Sequence, residues 1–150
     1  MIRFVPLTGE LLTMAILLAM DEATRTLSEA VPGAYDGLLL GGEAEAMLDG
    51  GEFVGAGGVT QHWPGRAEAW LMLRPDLTRK QKVRALRRCQ EKLAALQSDP
   101  AYRRIEMYVR AASGWNLSFA KTMGFEIEGY LNRWGIRGED YCLFARVAEA

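Results

Sequence analysis

The chain has 150 residues, 49% of them hydrophobic, and a formal net charge of -1 at pH 7. This length predicts one domain, 1–150, with a single packed core. A nucleic-acid-binding surface needs an excess of cationic side chains, so the charge argues against nucleic acid as a partner. The apolar run Leu11–Met20 is too short to cross a bilayer, and no signal-peptide cleavage site follows it. We therefore expect a soluble, cytoplasmic protein without a membrane partner.

The first part of the sequence predicts a strand followed by two helices. Weak alternation that ends at a proline predicts a strand over Ile2–Val5. Thr8 can cap a helix over Glu10–Met20, where apolar residues recur at helical spacing. A second helical stretch runs through Leu27 and stops before a Pro-Gly pair.

The following residues predict an antiparallel meander. Short apolar segments at Ala44–Leu48 and Glu52–Val59 flank Asp49–Gly51, which is a strong hairpin-turn signal. A further turn at Trp63–Gly65 leads into a strand over Ala67–Leu73. Three strands therefore follow the two helices.

The pattern returns to a helix after Pro75. Its basic side chains fall largely on one face, which we expect to be solvated. The opposite, apolar face comprises Val83, Leu86, Cys89, Leu93 and Leu96.

The last part of the chain predicts a strand, a short helix and a closing hairpin. The strand alternates and should bury Ile105, Met107 and Val109. The helix ends at Gly124, which has the character of a C-terminal cap. The hairpin is predicted at Phe125–Asn132 and Tyr141–Val147.

The chain contains two cysteines, Cys89 and Cys142. They have neither metal-ligand spacing nor the density of a secreted disulfide scaffold. We expect both to be buried thiols, because a free cysteine packs as a small apolar side chain. No metal site is predicted, and His62 has no second ligand at a suitable spacing.

The order of predicted elements is strand, two helices, three strands, helix, strand, helix and two strands. Three local patterns accompany it: the strand and turn that begin at Ala67, the apolar strand "IEMYV", and "FAKTMGFEIEGYL" over Phe119–Leu131. With these features nearly the whole chain resembles the GNAT superfamily of acyl-CoA-dependent N-acetyltransferases. The spacing of "WPG", "EAW" and "LRP" is also similar to small GNAT-like proteins of bacteriophages.

The resemblance implies an α/β (α+β) fold. Its central sheet is mixed and mostly antiparallel, with about six to seven strands and about four flanking helices. The sheet is expected to splay between its fourth and fifth strands, with an acetyl-CoA site in the gap.

The resemblance also implies that acetyl-CoA, as co-substrate, binds at the start of the helix after Pro75. In the family, a Gln or Arg and two small residues at this turn let backbone amides surround the pyrophosphate. Here Thr78, Gln81 and Val83 stand at those positions. Three neighbouring cations either neutralise phosphate or simply face solvent. They are Arg79, Lys80 and Lys82.

Further cofactor contacts follow from the resemblance. The backbone of Leu71, Met72 and Leu73 would pair with the pantetheine arm and supply an oxyanion-hole N–H, although these side chains are equally explained as core. Ser113 stands at the position of an asparagine common in the family, and Asn116 is close to it. Both are candidate cofactor contacts.

Glu68 is the candidate general base. It lies ten positions before Thr78, the spacing of the catalytic glutamate in the histone-acetylating branch of the family. A partly buried carboxylate there could accept an amine proton directly or through a water. The alternative is that Glu68 merely opens an exposed strand.

The general acid is harder to place, because Ala120 stands where the family commonly has a tyrosine. Tyr108, Tyr130 and Tyr141 remain as replacements, and Tyr108 is our candidate, although a tyrosine in a strand more often packs half-buried. The tryptophans could line an acceptor pocket, but such residues more often belong to the core.

The sequence therefore predicts an N-acetyltransferase whose acceptor is an amine of a small molecule or a protein, with a homodimer through the last strands as a further expectation. The alternative is a catalytically inactive GNAT-fold binding or virion-associated protein that has lost acetyl-CoA. That alternative is motivated by Gln81, Val83 and Ala120, which replace the expected residues.

Overall fold

A computed structural model of the chain describes residues 1–18, 22–39 and 42–149, without the side chain of Ala23. The elements are, in chain order, β1 (Ile2–Pro6), α1 (Gly9–Leu18), α2 (Glu22–Ala30), β2 (Gly42–Asp49), β3 (Glu52–Trp63), β4 (Arg66–Leu73), α3 (Arg79–Leu96), β5 (Arg104–Arg110), α4 (Gly114–Thr122), β6 (Glu126–Leu131) and β7 (Tyr141–Val147). Two short 3-10 helices lie at Asp36–Leu39 and Pro100–Tyr102.

The strands form one hydrogen-bonded sheet in the order β1-β2-β3-β4-β5-β7-β6. β1 with β2, β2 with β3, β5 with β7 and β6 with β7 are antiparallel, whereas β4 and β5 are parallel. The predicted fold class, a mixed and mostly antiparallel sheet with flanking helices, is confirmed. The parallel pairing covers three residue pairs, Arg66–Glu68 with Arg104–Glu106. The predicted splay beyond them stays a prediction.

Several predicted boundaries are wrong by a few residues. β3 continues to Trp63 and β4 begins at Arg66, so the turn between them consists of Pro64 and Gly65. The strand was predicted to end at Val59, but its residues stay extended up to Trp63, directly before the proline. The predicted helix residues Ala19 and Met20 lie outside the described part of the chain.

The chain groups into two compact units, each built from two stretches. The first unit is Met1–Thr60 with Trp70–Arg87, and the second is Gln61–Ala69 with Arg88–Ala150. The boundary passes through β3, β4 and α3. The prediction of a single domain over 1–150 stays a prediction.

The first unit has apolar residues on both faces of its strands. Phe53 and Ala56 of β3 pack with Ala15 of α1 and Met72 of β4 on one face. The other face carries a second cluster, which comprises Met47, Val54 and Ala85.

A β-bulge explains how Phe53 and Ala56 share a face although their spacing is odd. Ala46 pairs with Ala56 and Leu48 pairs with Phe53, so β3 contains one residue more than β2 across this stretch. The extra residue restores the alternation on the far side of the bulge.

The second unit has its core under β5 and β7. Ile105 and Phe144 are fully buried, and Met107 and Val109 are buried beside Ile105 along β5. The predicted inward alternation of β5 is therefore confirmed. Gly124 has a φ of 85° just after α4, which confirms the predicted C-terminal cap.

Two burial predictions are wrong. Val83 was expected on the apolar face of α3 but is 39% exposed, because the buried stripe of the helix passes through Ala85 instead. Cys142 is buried as predicted, whereas Cys89 is only half-buried.

β6 lies at one edge of the sheet, and its side chains Ile127 and Tyr130 are 41% and 73% exposed. The homodimer expected through the last strands stays a prediction. Across the described residues, no helix is long and apolar enough to cross a membrane.

Gly58 of β3 is expected to tolerate no side chain. A Cβ there would lie 2.6 Å from the carbonyl oxygen of Glu43 and 2.9 Å from the Cβ of Ala44, both on β2. We predict that Gly58→Ala lowers the free energy of unfolding by about 1–3 kcal/mol in chemical denaturation, because the paired strand must move.

The strand glycine Gly129 gives the matched control, since a Cβ there meets no other described atom within 4 Å. Gly129→Ala should leave stability almost unchanged. Equal effects of the two substitutions would contradict the predicted clash at Gly58.

Candidate functional site

In the second unit, polar side chains of β4 and β5 share one face of the sheet. The parallel register pairs Arg66 with Arg104 and Glu68 with Glu106. Tyr108 follows two residues later on β5, and side chains two apart on a strand point to the same side. Glu68 and Tyr108, the two predicted catalytic residues, therefore lie on the same face.

Glu106 is a buried carboxylate at the centre of this face, with only 4% of the residue exposed. Arg66 donates from Nε to Oε1 and from Nη2 to Oε2, the latter at 3.2 Å. Arg104 donates from Nε to Oε1 at 3.3 Å and also binds both carboxylate oxygens of Glu128, at 3.0 and 2.6 Å. The hydrogen bonds from Arg66 outweigh burial and hold the pKa of Glu106 below its ordinary value.

Glu68 is bound to the single histidine of the chain. His62 Nε2 and Glu68 Oε2 are 2.9 Å apart, and the two side chains are 35% and 36% exposed. The sequence analysis did not predict that His62 contacts Glu68. The contact could have been predicted, because the two residues lie on consecutive strands on either side of the Pro64–Gly65 turn.

Tyr108 is half-buried and keeps its proton at neutral pH. Burial, assisted by the negative charges of Glu106 and Glu68, raises the pKa of Tyr108 above its ordinary value. Its ring is stacked on Trp134, with centroids 4.7 Å apart and planes 9° apart. Tyr141 meets the same indole edge-on at 5.1 Å.

Two tryptophans next to these groups are exposed. Trp63 is 55% exposed and lies 4.5 Å from the guanidinium carbon of Arg66. Trp134 is 53% exposed. The general expectation that tryptophans belong to the core is therefore wrong for both. At the surface Trp63 contacts the guanidinium of Arg66, and Trp134 stacks on Tyr108.

The predicted phosphate turn lies in the first unit and forms a capping box. Thr78 Oγ1 accepts from the backbone N–H of Gln81 at 3.2 Å, and Gln81 Oε1 accepts from the N–H of Thr78 at 3.0 Å. Gln81 Nε2 also donates to Asp49 at 3.0 Å, which is the main reason that the pKa of Asp49 is lowered. Thr78 and Gln81, which stand at positions of the predicted phosphate motif, thus stabilise the start of α3 through their own side chains.

The capping box leaves other donors at the start of α3. A helix begins with N–H groups that have no intrahelical acceptor, and the box uses neither Arg79 nor Lys80. The side chains of Arg79, Lys80 and Lys82 are exposed, as is Val83. The turn therefore presents two backbone amides outside the capping box and three cationic side chains. The phosphate contacts predicted for Thr78, Gln81 and Val83 and for the three cations stay predictions.

The remaining predicted cofactor residues have clear structural roles. Met72 packs in the core of the first unit, and the side chains of Leu71 and Leu73 fill the space above Gly57 and Gly55. A role for their backbone stays a prediction.

At the start of α4, the Ser113 side chain caps the helix by accepting from the N–H of Asn116 at 3.4 Å. The cofactor contacts predicted for Ser113 and Asn116 are untested by this arrangement and stay predictions. Among the described residues, no group of three His, Cys, Asp or Glu side chains could hold a metal ion.

No protein-family model matches the sequence, and no curated protein matches it. Solved structures do match. A Bacillus subtilis acetyltransferase in complex with CoA has a TM-score of 0.73 at 17% identity, over 99% of this chain and 98% of that one. The ribosomal-protein-S18-alanine N-acetyltransferase of Escherichia coli has a TM-score of 0.71 at 14% identity, over 100% and 96%.

A third match is a Salmonella typhimurium protein solved with its cofactor acetyl-CoA. Its TM-score is 0.67 at 12% identity, over 99% of this chain and 94% of that one. The chain therefore has the fold of the GNAT N-acetyltransferases, as the sequence resemblance implied. The narrower likeness to bacteriophage proteins stays a prediction.

Glu106→Gln is expected to lower the free energy of unfolding by about 2 kcal/mol at neutral pH, because a neutral amide cannot balance two arginines. Since the pKa of Glu106 is depressed in the folded protein, its contribution is present above the ordinary pKa of a carboxyl. That contribution is lost as the pH falls through the depressed value. Denaturation between neutral and acidic pH should therefore show the variant and the wild type converging in acid.

Glu128→Gln is the control, since Glu128 also binds Arg104 but its side chain is 39% exposed. Its cost should stay below about 1 kcal/mol. An effect of Glu106→Gln no larger than that of the control would contradict the central role of the buried carboxylate.

Proposed function

We propose that this protein is a cytoplasmic acyl-CoA-dependent N-acetyltransferase that transfers an acetyl group to an amine of a small molecule or a protein. The observation that carries the proposal is the exposed carboxylate of Glu68, hydrogen-bonded to His62 at 2.9 Å on the polar sheet face of a GNAT fold. The fold alone does not fix an activity, so the argument rests on this face.

Glu68 supplies the base in this proposal. An amine must lose a proton before or while its nitrogen attacks a carbonyl carbon. One oxygen of Glu68 is held by His62, and the side chain is 36% exposed. The other oxygen is then available to accept the proton from the ammonium group, directly or through a water.

Tyr108 supplies the acid. Burial and the nearby carboxylates raise its pKa, so the phenol holds its proton throughout the neutral range. A phenol in that state can donate the proton that a leaving thiolate requires. Stacking on Trp134 fixes the orientation of its ring.

Acetyl-CoA, when bound, supplies the thioester carbonyl that the amine attacks. In the first unit, the backbone amides of Arg79 and Lys80 and the side chain of Lys82 would hold its phosphates. The backbone of Leu71–Leu73 would bind the pantetheine arm. Support for this comes from CoA and acetyl-CoA complexes of proteins with the same fold.

Glu68→Gln tests the base. We expect wild-type protein to release CoA with at least one member of a panel of primary amines, and Glu68→Gln to lower kcat/KM about 100- to 10,000-fold, because the amide cannot accept the proton. The exposed Glu126 on β6 provides a control variant, Glu126→Gln, whose activity should equal that of the wild type. Undiminished CoA release by Glu68→Gln would rule out Glu68 as the base.

A second candidate function is favoured by the capping box. The side chains of Thr78 and Gln81 each accept the other residue's backbone N–H, so these two N–H groups are not available to a diphosphate. On this reading the chain is a GNAT-fold binding or virion-associated protein that no longer uses acetyl-CoA.

Thermal denaturation with acetyl-CoA separates the two candidates. A ligand at one hundred times its dissociation constant stabilises the folded state by about 2.7 kcal/mol. We expect a clear rise in Tm for the wild type and a smaller one for Lys80→Ala. Arg84→Ala, a change at an exposed position one turn later on α3, is the control. An unchanged Tm at millimolar acetyl-CoA would favour the binding protein.

A further inference from the structure

The loop between β6 and β7, residues 132–140, is held by hydrogen bonds of its own. The backbone N–H of Gly135 donates to the carbonyl oxygen of Glu139 at 3.0 Å, and that of Gly138 donates to the carbonyl oxygen of Gly135 at 2.9 Å. The Glu139 side chain also accepts from the N–H of Arg137 at 2.9 Å. These bonds fix the middle of the loop, because each of them joins two of its residues.

Near the start of the loop, Arg133 has a backbone conformation that side chains disfavour. Its φ is 54°, and among the described residues it is the one position other than glycine with a positive φ. A left-handed backbone costs energy for a residue with a Cβ, so it persists where neighbouring contacts compensate. Here the N–H of Arg133 donates to Oδ1 of Asp140 at 2.9 Å, across the loop. The carboxylate of Asp140 therefore supports the strained residue.

Asp140 is also bound to the strand that carries Tyr108. Its backbone carbonyl accepts from the N–H of Ala111 at 2.9 Å, directly after the end of β5. Asp140 thus joins the start of the loop, through its side chain, to the end of β5, through its backbone.

The residue after Arg133 is Trp134, whose indole is stacked on the ring of Tyr108. This stacking removes one face of the half-buried phenol ring from water. Because the two residues are adjacent in the chain, a change of backbone conformation at Arg133 would turn the indole away and expose that face of the ring.

Burial is the main reason that the pKa of Tyr108 is raised, ahead of the charges of Glu106 and Glu68, whereas Arg66 lowers it. The charged residues of β4 and β5 on the same sheet face are Arg66, Glu68, Arg104, Glu106 and Arg110. On β6 and β7 the charged or titratable residues are Glu126, Glu128 and Tyr141. The loop contains Arg133, Arg137, Glu139 and Asp140. Variants that are compared with one another must therefore carry the same charges.

We propose that Asp140 is a positioning residue for Tyr108. Its carboxylate holds Arg133 in the left-handed conformation, and this conformation places the indole of Trp134 on the ring of Tyr108. The inference rests on the proposed function, in which Tyr108 is the general acid. It deepens that function by naming the group that keeps the acid covered and oriented.

The test follows the ionisation of Tyr108 by NMR, on the full chain labelled with ¹³C at the tyrosine Cζ atoms, with Tyr108→Phe to assign the signal. Asp140→Ala and Asp140→Asn carry the same charge, but only asparagine keeps an oxygen that accepts from the Arg133 N–H. We expect Asp140→Ala to lower the pKa of Tyr108 toward that of an exposed tyrosine, because the ring loses its cover. Asp140→Asn should keep it close to that of the wild type.

A second pair of variants tests the backbone conformation. In the Asp140→Ala background, Arg133→Gly and Arg133→Ala remove the same positive charge, but only glycine adopts a positive φ without steric cost. Arg133→Gly should return the Tyr108 titration toward that of the wild type, and Arg133→Ala should not. Asp99→Ala is the control, because Asp99 also accepts a backbone N–H at 2.9 Å, from Ala101. It should leave the Tyr108 titration unchanged.

Activity gives an independent measurement. Asp140→Ala should lower kcat about tenfold and leave KM for acetyl-CoA unchanged, because an acid that is no longer oriented loses part of its usual contribution. Asp140→Asn should restore kcat.

Three outcomes would overturn the inference: the same Tyr108 titration in Asp140→Ala and Asp140→Asn, an equal change in Asp99→Ala, or equal effects of Arg133→Gly and Arg133→Ala. The NMR titration needs no substrate, so it separates this inference from the proposed function. The expected titrations in a protein that releases no CoA would defeat the proposed enzyme and leave the effect of Asp140 on Tyr108 in place. CoA release with a Tyr108 titration that no loop variant changes would defeat the role of Asp140 alone.

Discussion

The carboxylate of Glu106 is almost wholly removed from water, and such a charge is tolerated only when it is paired. Its two arginines are positioned by that requirement: Arg66 lies over Trp63, and Arg104 reaches Glu128. Because both guanidinium groups are committed in this way, Glu68 is bound by His62 alone among the described residues. The availability of the candidate base thus depends on a buried ion pair that itself takes no part in the proposed reaction.

Local patterns in the sequence were sufficient to predict much of the fold. The "DGG" turn contains Gly50 and Gly51 at φ values of 59° and 86°, which glycine adopts without strain. The helix stop at Gly124 and the buried alternation of β5 were also correct. Each of these features is decided by residues within one turn or one strand, so a single sequence contains the information.

The polar face could not be predicted in the same way, because its contacts join distant residues. Arg66 and Glu106 are 40 positions apart, and nothing in the spacing indicates which of the many charged side chains will meet. Trp134 lies in an irregular loop, where no periodicity indicates exposure. By contrast, the Thr78 and Gln81 capping box was readable as Thr-x-x-Gln before a helix, but those residues were interpreted only as a degraded phosphate motif.

The boundary between the two compact units falls inside regular secondary structure. It crosses β3 after Thr60, β4 after Ala69 and α3 after Arg87. At each of these three boundaries the backbone belongs to a strand or a helix. The two units are therefore not joined there by a loop that a protease could cut or that could serve as the end of a truncated chain. Removing either unit would divide two strands and leave half of α3.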